Sequence, residues 1–198
     1  MLSKIVRRTH LYLALALSPW ILMYAVSTMA MNHRVLLREI TGMEAPRFVP
    51  EREFSYDGGM PEPGNILALA RGVLMAAGLD GAHGIGRPQP DGRVVIQRQD
   101  LITPRRLTYI PAERKVTVER MIYSTPQFLE RFHRRRGFQH AYWLDNVWAV
   151  TVDLVIAALI LWVLTGLWMW WELKVTRPLG ALALAGGLAV FLWFVFNV

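Results

Sequence analysis

Three apolar runs, at residues 11–31, 147–171 and 178–198, decide what this chain is able to fold into. The first and third contain no charged residue, and the second contains only Asp153. At a rise of 1.5 Å per residue, a helix over such a run is roughly 31 Å long, which matches a hydrocarbon core of about 30 Å. A soluble fold would have to enclose helices that are apolar on every face. The remaining chain, about 110 residues, is too small for that. Each run therefore predicts a membrane-spanning helix, and together they account for an apolar fraction of 54%, above the usual range of a soluble domain. The first run follows Lys4, Arg7 and Arg8 and ends near Thr28-Met29-Ala30, an outline shared with cleavable signals. Signal cores are about 7–15 residues, and this one is longer, so it reads as an anchor.

Lysine and arginine in short segments set the direction of crossing, whereas long loops are largely exempt. Lys4, Arg7 and Arg8 flank the first span, Lys174 and Arg177 lie in the short second connection, and the C-terminus has no basic residue. The expected orientation has the N-terminus and the second connection in the cytoplasm, with residues 32–142 outside a bacterial inner membrane. Arg131, Arg134, Arg135 and Arg136, just before the second span, run against this count, but they belong to a loop long enough to cross as a domain. Trp143, Trp148, Trp168, Trp170 and Trp171 fall near the ends of the second span, where indoles favour the interface. Trp162 lies mid-span and reads as a packing residue.

The segment between the first two spans reads as a tether followed by a folded domain. Pro46, Pro50, Pro61 and Pro63 punctuate residues 34–63. Asn65 then suits the cap of a helix running to about Leu79, followed by extended stretches at 84–89, 94–98, 106–110 and 116–122. Val116 and Val118 alternate with Thr117 and Glu119, and Leu107 and Tyr109 with Arg106 and Thr108, which is the two-residue period of a half-buried strand. Pro90-Asp91-Gly92 and the segment 111–114 supply turns. One helix on an antiparallel sheet is the economical arrangement. The chain thus divides into 1–33 (N-terminus and first span), 34–63 (tether), 64–125 (α+β domain), 126–142 (basic, amphipathic connection), 143–172 and 178–198 (second and third spans).

A helix followed by strands, with Tyr109-Ile110-Pro111-Ala112 leading into the last of them, resembles a PepSY domain. Arg7-Arg8-Thr9-His10-Leu11-Tyr12-Leu13, and Thr165-Gly166-Leu167 with Trp170-Trp171, are similar to the helix motifs of the PepSY-associated transmembrane family. The likeness covers most of residues 4–172. Ala14 and Arg114 stand where that family usually has glycine. The resemblance implies membrane helices flanking a small α+β PepSY-like domain outside the membrane; with the third span, which carries no motif of that family, the expected fold is a membrane α-helical protein of three spans. It also implies an accessory role, with the domain contacting a peptidase or a neighbouring membrane complex and performing no catalysis.

Chemistry in the sequence is sparse. With no cysteine, thiolate zinc sites, iron–sulfur clusters and thiol catalysis are excluded. No nucleophile elbow, paired metalloprotease histidines or phosphate loop occurs. The net charge of +7 is spread among acids without a basic, aromatic-interleaved helix, so the lipid bilayer rather than nucleic acid is the expected partner. Of five histidines, His10 falls at the inner end of the first span, His33 at its outer end, and His140 just before the outer start of the second. His133 lies nearby, and His83 falls in the α+β domain. Haem iron accepts two axial imidazoles from opposing helices. Some larger relatives with PepSY-associated helices resemble ferric-siderophore reductases, so the competing reading is a b-type haem in an electron-transfer subunit. His33 and His140 are its expected ligands, His133 the substitute, and His10 a ligand only in an oligomer such as a homodimer. Asp153, two turns inside the second span, expects packing against Thr151 or the first helix, or a polar partner such as His33 or Arg34.

Overall fold

The computed structural model describes residues 1–58, 65–140 and 142–198. They form two compact units, one of Met1–Ile21 with Thr151–Val198 and the other of Leu22–Val150. The first unit contains the start of α1 (Leu2–Asn32), most of α5 (Trp143–Glu172) and α6 (Arg177–Asn197). All three helices are long and apolar enough to cross a membrane, which is consistent with a membrane-embedded protein.

Hydrocarbon offers no partner for a free backbone group, which makes Pro19 inside α1 a test of the reading. Proline has no N–H to give the carbonyl of Leu15, and the Ser18 hydroxyl donates to that carbonyl instead, at 2.8 Å. At the end of this unit Gly180 meets the Trp170 indole so closely that a Cβ there would lie 1.9 Å from Nε1. That contact requires glycine. Gly186 and Gly187 have nothing within 4 Å of where a Cβ would sit.

In the second unit α1 ends at Asn32, and after His33 the chain resumes as α2 (Arg34–Thr41). β1 (Arg47–Ser55), α3 (Ile66–Ala76), β2 (His83–Ile85), β3 (Val94–Arg98), β4 (Arg105–Ile110), β5 (Lys115–Ile122) and α4 (Thr125–His133) follow, and the start of α5 closes the unit. The sheet is antiparallel in the order β1-β5-β4-β3-β2. Its core follows the expected alternation: Val94 and Ile96, Leu107 and Tyr109, Val116 and Val118 face Leu69, Ala70, Val73 and Leu74 of α3 and Ala77 just after it.

The segment read as a tether is the main departure. Residues 34–63 contain α2 and the nine-residue β1, which pairs with β5 from Arg47↔Ile122 to Ser55↔Lys115, with a register shift between Pro50 and Arg52. Pro50 fits because β1 is an edge strand, where a missing donor costs no ladder bond. Pro61 and Pro63 lie outside the described residues. The sheet therefore has five strands, and the second is the short β2 rather than a stretch over 84–89. α3 stops at Ala76, short of Leu79, and Asn65 at its start makes no side-chain capping bond. The 126–142 connection holds α4, where Gln127 Oε1 accepts the Ser124 N–H at 2.8 Å. Arg114, in the place of the resemblance's turn glycine, takes that residue's left-handed conformation at φ 49°.

The register yields a paired expectation. Val118→Asp sets a carboxylate against α3 and should open the domain, since an unpaired buried charge costs several kcal/mol. Thr117→Asp, on the opposite face, should change stability by no more than about 0.5 kcal/mol. Limited proteolysis compares them, and equal sensitivity would disprove the register.

Candidate functional site

The strongest concentration of polar chemistry in the second unit lies where α4, the loop after β3 and the first turn of α5 meet. A cleft of about 310 Å³ opens there, lined by Gln99, Asp100, Glu130, Arg131, Arg134, Arg135, Arg136, His140 and Asp145 among others. Its floor is Asp145, with a side chain only 3% exposed. Arg135 Nη2 donates to one of its carboxylate oxygens, and His140 Nδ1 lies 3.0 Å from the other. Position in the first turn of α5 adds the favourable field of the helix N-terminus. The backbone at Gly137 lies close enough on α5 that a Cβ there would come 2.8 Å from the Ala149 Cα.

The cleft wall is fixed by Asp100. Its Oδ1 accepts the N–H groups of Ile102 at 2.8 Å and Thr103 at 3.0 Å, and its Oδ2 pairs with Arg98 at 2.7 Å. Burial pushes this carboxyl up, but the backbone donors of Thr103 and Ile102 and the Arg98 charge outweigh it, so its pKa lies below the usual value. Arg135 Nη1 donates to the Gln99 carbonyl at 3.3 Å and Arg131 Nη2 to that of Asp100 at 3.4 Å, which ties the arginines to the same loop.

The histidines occupy separate environments. His10 Nδ1 lies 3.0 Å from Thr165 Oγ1 and 3.2 Å from the Trp162 carbonyl, and its ring stacks on Trp162 at 5.4 Å. Gly166 leaves room for that ring, since a Cβ would stand 3.2 Å from its Cε1. His133 Nδ1 lies 2.8 Å from Ser27 Oγ, and its ring meets Tyr24 edge-on at 4.8 Å. His83 Nδ1 lies 3.1 Å from the Gly81 carbonyl. His33 is exposed at the break between α1 and α2.

These partners indicate the tautomers. Carbonyls and carboxylates only accept, so Nδ1 carries the proton in His10, His83 and His140. Ser27 directs its own hydroxyl proton to the Tyr24 carbonyl at 3.0 Å, which makes His133 the donor to it as well. In the neutral ring, each of these four leaves Nε2 as a bare lone pair.

For haem, His10, His133 and His140 are imidazoles each oriented by its own partner. His33 does not line the cleft that His140 lines. The histidine that shares a cavity with His140 is His83, in a space of about 50 Å³ that is too small for a macrocycle. Among the described residues no group of three or more metal-ligating side chains occurs. Asp153 sits on the exposed side of α5.

Comparison with protein-family models, curated proteins and solved structures gives no match. The functional reading therefore rests on the chain's own residues.

Asp145 is the site residue that the sequence did not announce. Its one signal is an acid in the first turn of an otherwise apolar helix, shortly after an arginine run. Asp100 supplies a test of the site. A carboxyl with a lowered folded pKa adds stability above its unfolded value, about 3.9, and loses it as pH falls through the folded value. Chemical denaturation of the detergent-solubilised protein should show Asp100→Asn destabilising near neutral pH, with the gap to wild type shrinking below about pH 4. A gap that does not change with pH would refute the ionic role of Asp100.

Proposed function

We propose that the chain is an inner-membrane accessory protein, with residues 32–142 on the periplasmic side, whose PepSY-like sheet domain contacts a partner protein or neighbouring membrane complex. The observation that supports this is the sheet face turned away from α3. Val95, Thr108 and Thr117 form a continuous cross-strand row there, with Ile110 beside it. Arg106 is paired to Glu119 at 2.6 Å and lies over the Phe48 ring at 4.2 Å, and Lys115 is paired to Glu53 at 2.5 Å.

A half-buried row of aliphatic and threonine side chains bordered by paired charges suits a protein contact, and five strands make it about 19 Å wide. The 310 Å³ cleft, by contrast, has the size of a small-ligand site. The face is preferred over the sheet edge. β1 has Pro50, a register shift and the charges of Glu51, Arg52 and Glu53, all of which discourage strand addition.

A photo-cross-linking residue at Thr108 of the full chain, expressed in intact cells, should form a discrete adduct with one protein. The adduct should disappear when Thr117→Arg is added. The same probe at Met75 on α3 should capture nothing comparable. Equal adducts at both positions, or none at Thr108, would count against the reading.

A second reading is supported by the tautomers. A b-type haem in an electron-transfer subunit would use His33 and His140, with His133 as the substitute and His10 only in an oligomer, and the Nε2 lone pairs of His10, His133 and His140 are held ready by Nδ1 donation. Bound haem would supply one-electron transfer. The absorption spectrum of protein made with ample haem separates the readings. The accessory role expects aromatic absorption alone, whereas stoichiometric b-type bands lost in His10→Ala or His140→Ala, and kept in His83→Ala, would establish the haem reading.

A further inference from the structure

We propose that the arginine-lined cleft at the start of α5 binds the phosphate of a phospholipid headgroup. Four arginines face three carboxylates there, and each carboxylate is already answered. Asp100 is paired with Arg98 and Glu130 with Arg34, both from outside the cleft lining, and Asp145 is paired with Arg135. The guanidinium donors left over are therefore in surplus. Arg136 forms no hydrogen bond or ion pair among the described residues, and Arg134 is 70% exposed with a single link to Glu130 at 3.1 Å. Arg131 donates only to the Asp100 carbonyl and the Met121 sulfur, and its Nε is buried with no acceptor. A donor-rich, acceptor-poor cavity fits a multi-oxygen anion, and the planar guanidinium fork fits phosphate oxygens two at a time.

The position selects a lipid as the source of that phosphate. Asp145 belongs to the first turn of a helix apolar enough to cross a membrane, and Trp143 at its start is 67% exposed. α2 follows α1 after one residue and exposes Val35, Leu36 and Ile40. Such a helix lies in the membrane interface. Arg34 of α2 is bonded to Glu130 of α4, which lines the cleft, so the interfacial helix and the arginines are joined. Basic side chains at that level meet headgroup phosphates.

The full chain, purified in a non-ionic detergent and delipidated, is titrated with short-chain phosphatidylglycerol, the matching diacylglycerol without phosphate, and inorganic phosphate, with binding followed by tryptophan fluorescence and thermal shift. Phosphatidylglycerol should bind and stabilise, diacylglycerol should not, and inorganic phosphate should bind much more weakly. Arg136→Gln, at an exposed position that leaves the fold alone, should weaken phosphatidylglycerol binding roughly fivefold, and Arg131→Gln with Arg136→Gln further. Arg71→Gln on α3 should change nothing. Inorganic phosphate binding as tightly as the lipid would overturn the lipid assignment. Unchanged affinity in Arg136→Gln, or a photo-cross-linker at Gln139 that captures a protein instead of lipid in cells, would overturn the site. Loss of the Thr108 adduct leaves this result untouched, so the two proposals fail separately.

Discussion

Hydrocarbon cannot hydrogen-bond a peptide group, and the order of this chain follows from that constraint. Every backbone donor and acceptor at membrane depth must find its partner within the protein, which restricts the apolar runs to helices and accounts for small repairs along them. Ser18 covers the carbonyl that Pro19 leaves open, and Thr165 returns its hydroxyl to the Leu161 or Trp162 carbonyl while accepting from His10. A histidine within a span is tolerable on the same terms, since a neutral ring with its Nδ1 proton donated has only one lone pair to account for.

The sheet domain obeys a different economy. Its core is a single layer of aliphatic side chains between α3 and the sheet, with Tyr56 and Tyr109 in edge-on contact at 5.5 Å at one margin. A domain this small buries a modest fraction of its surface. Ion pairs and loops must then hold what the core does not reach. Arg52 reaches from β1 to the Ala77 carbonyl at the end of α3, where the helix terminus favours a cation. Glu51 and Arg105 join β1 to β4 through two contacts at 2.7 and 2.9 Å, and that bond from Arg105, aided by its charge, holds the Glu51 carboxyl below its ordinary pKa.

What the sequence revealed and what it hid have physical causes. β4 and β5 were legible because Leu107, Tyr109, Val116 and Val118 alternate without interruption, and the spans because lipid imposes a length. β1 was not legible. Its inward positions include Arg52, its register shifts beside Pro50, and its pairing partners lie sixty or more residues downstream, so no local period betrays it. The cleft was hidden for a related reason. The arginines of 131–136 were plain as a cluster, but Asp145 and Asp100 become their counterparts only when α4, the loop after β3 and α5 converge. His33 and His140 looked equivalent by depth, a criterion blind to the Asp145 carboxylate that orients one ring while the other stays exposed at a helix break.

The arginine cluster also bears on how orientation is read from charge. Four arginines beside a span, counted alone, argue for the cytoplasm. Three of them have structural work in the folded unit, toward Glu130, Asp145 and the Asp100 carbonyl. Their placement therefore has a cause independent of which side of the membrane they occupy. Long loops cross as domains largely regardless of charge, so the short flanks holding Lys4, Arg7, Arg8, Lys174 and Arg177 retain the greater weight. A guanidinium is costly in hydrocarbon and inexpensive at its border, where a long side chain can keep its head in water. Arg134 and Arg136 meet that condition by exposure, and Arg135 by its pairing with Asp145, which itself depends on the cluster to be buried at the start of an apolar helix.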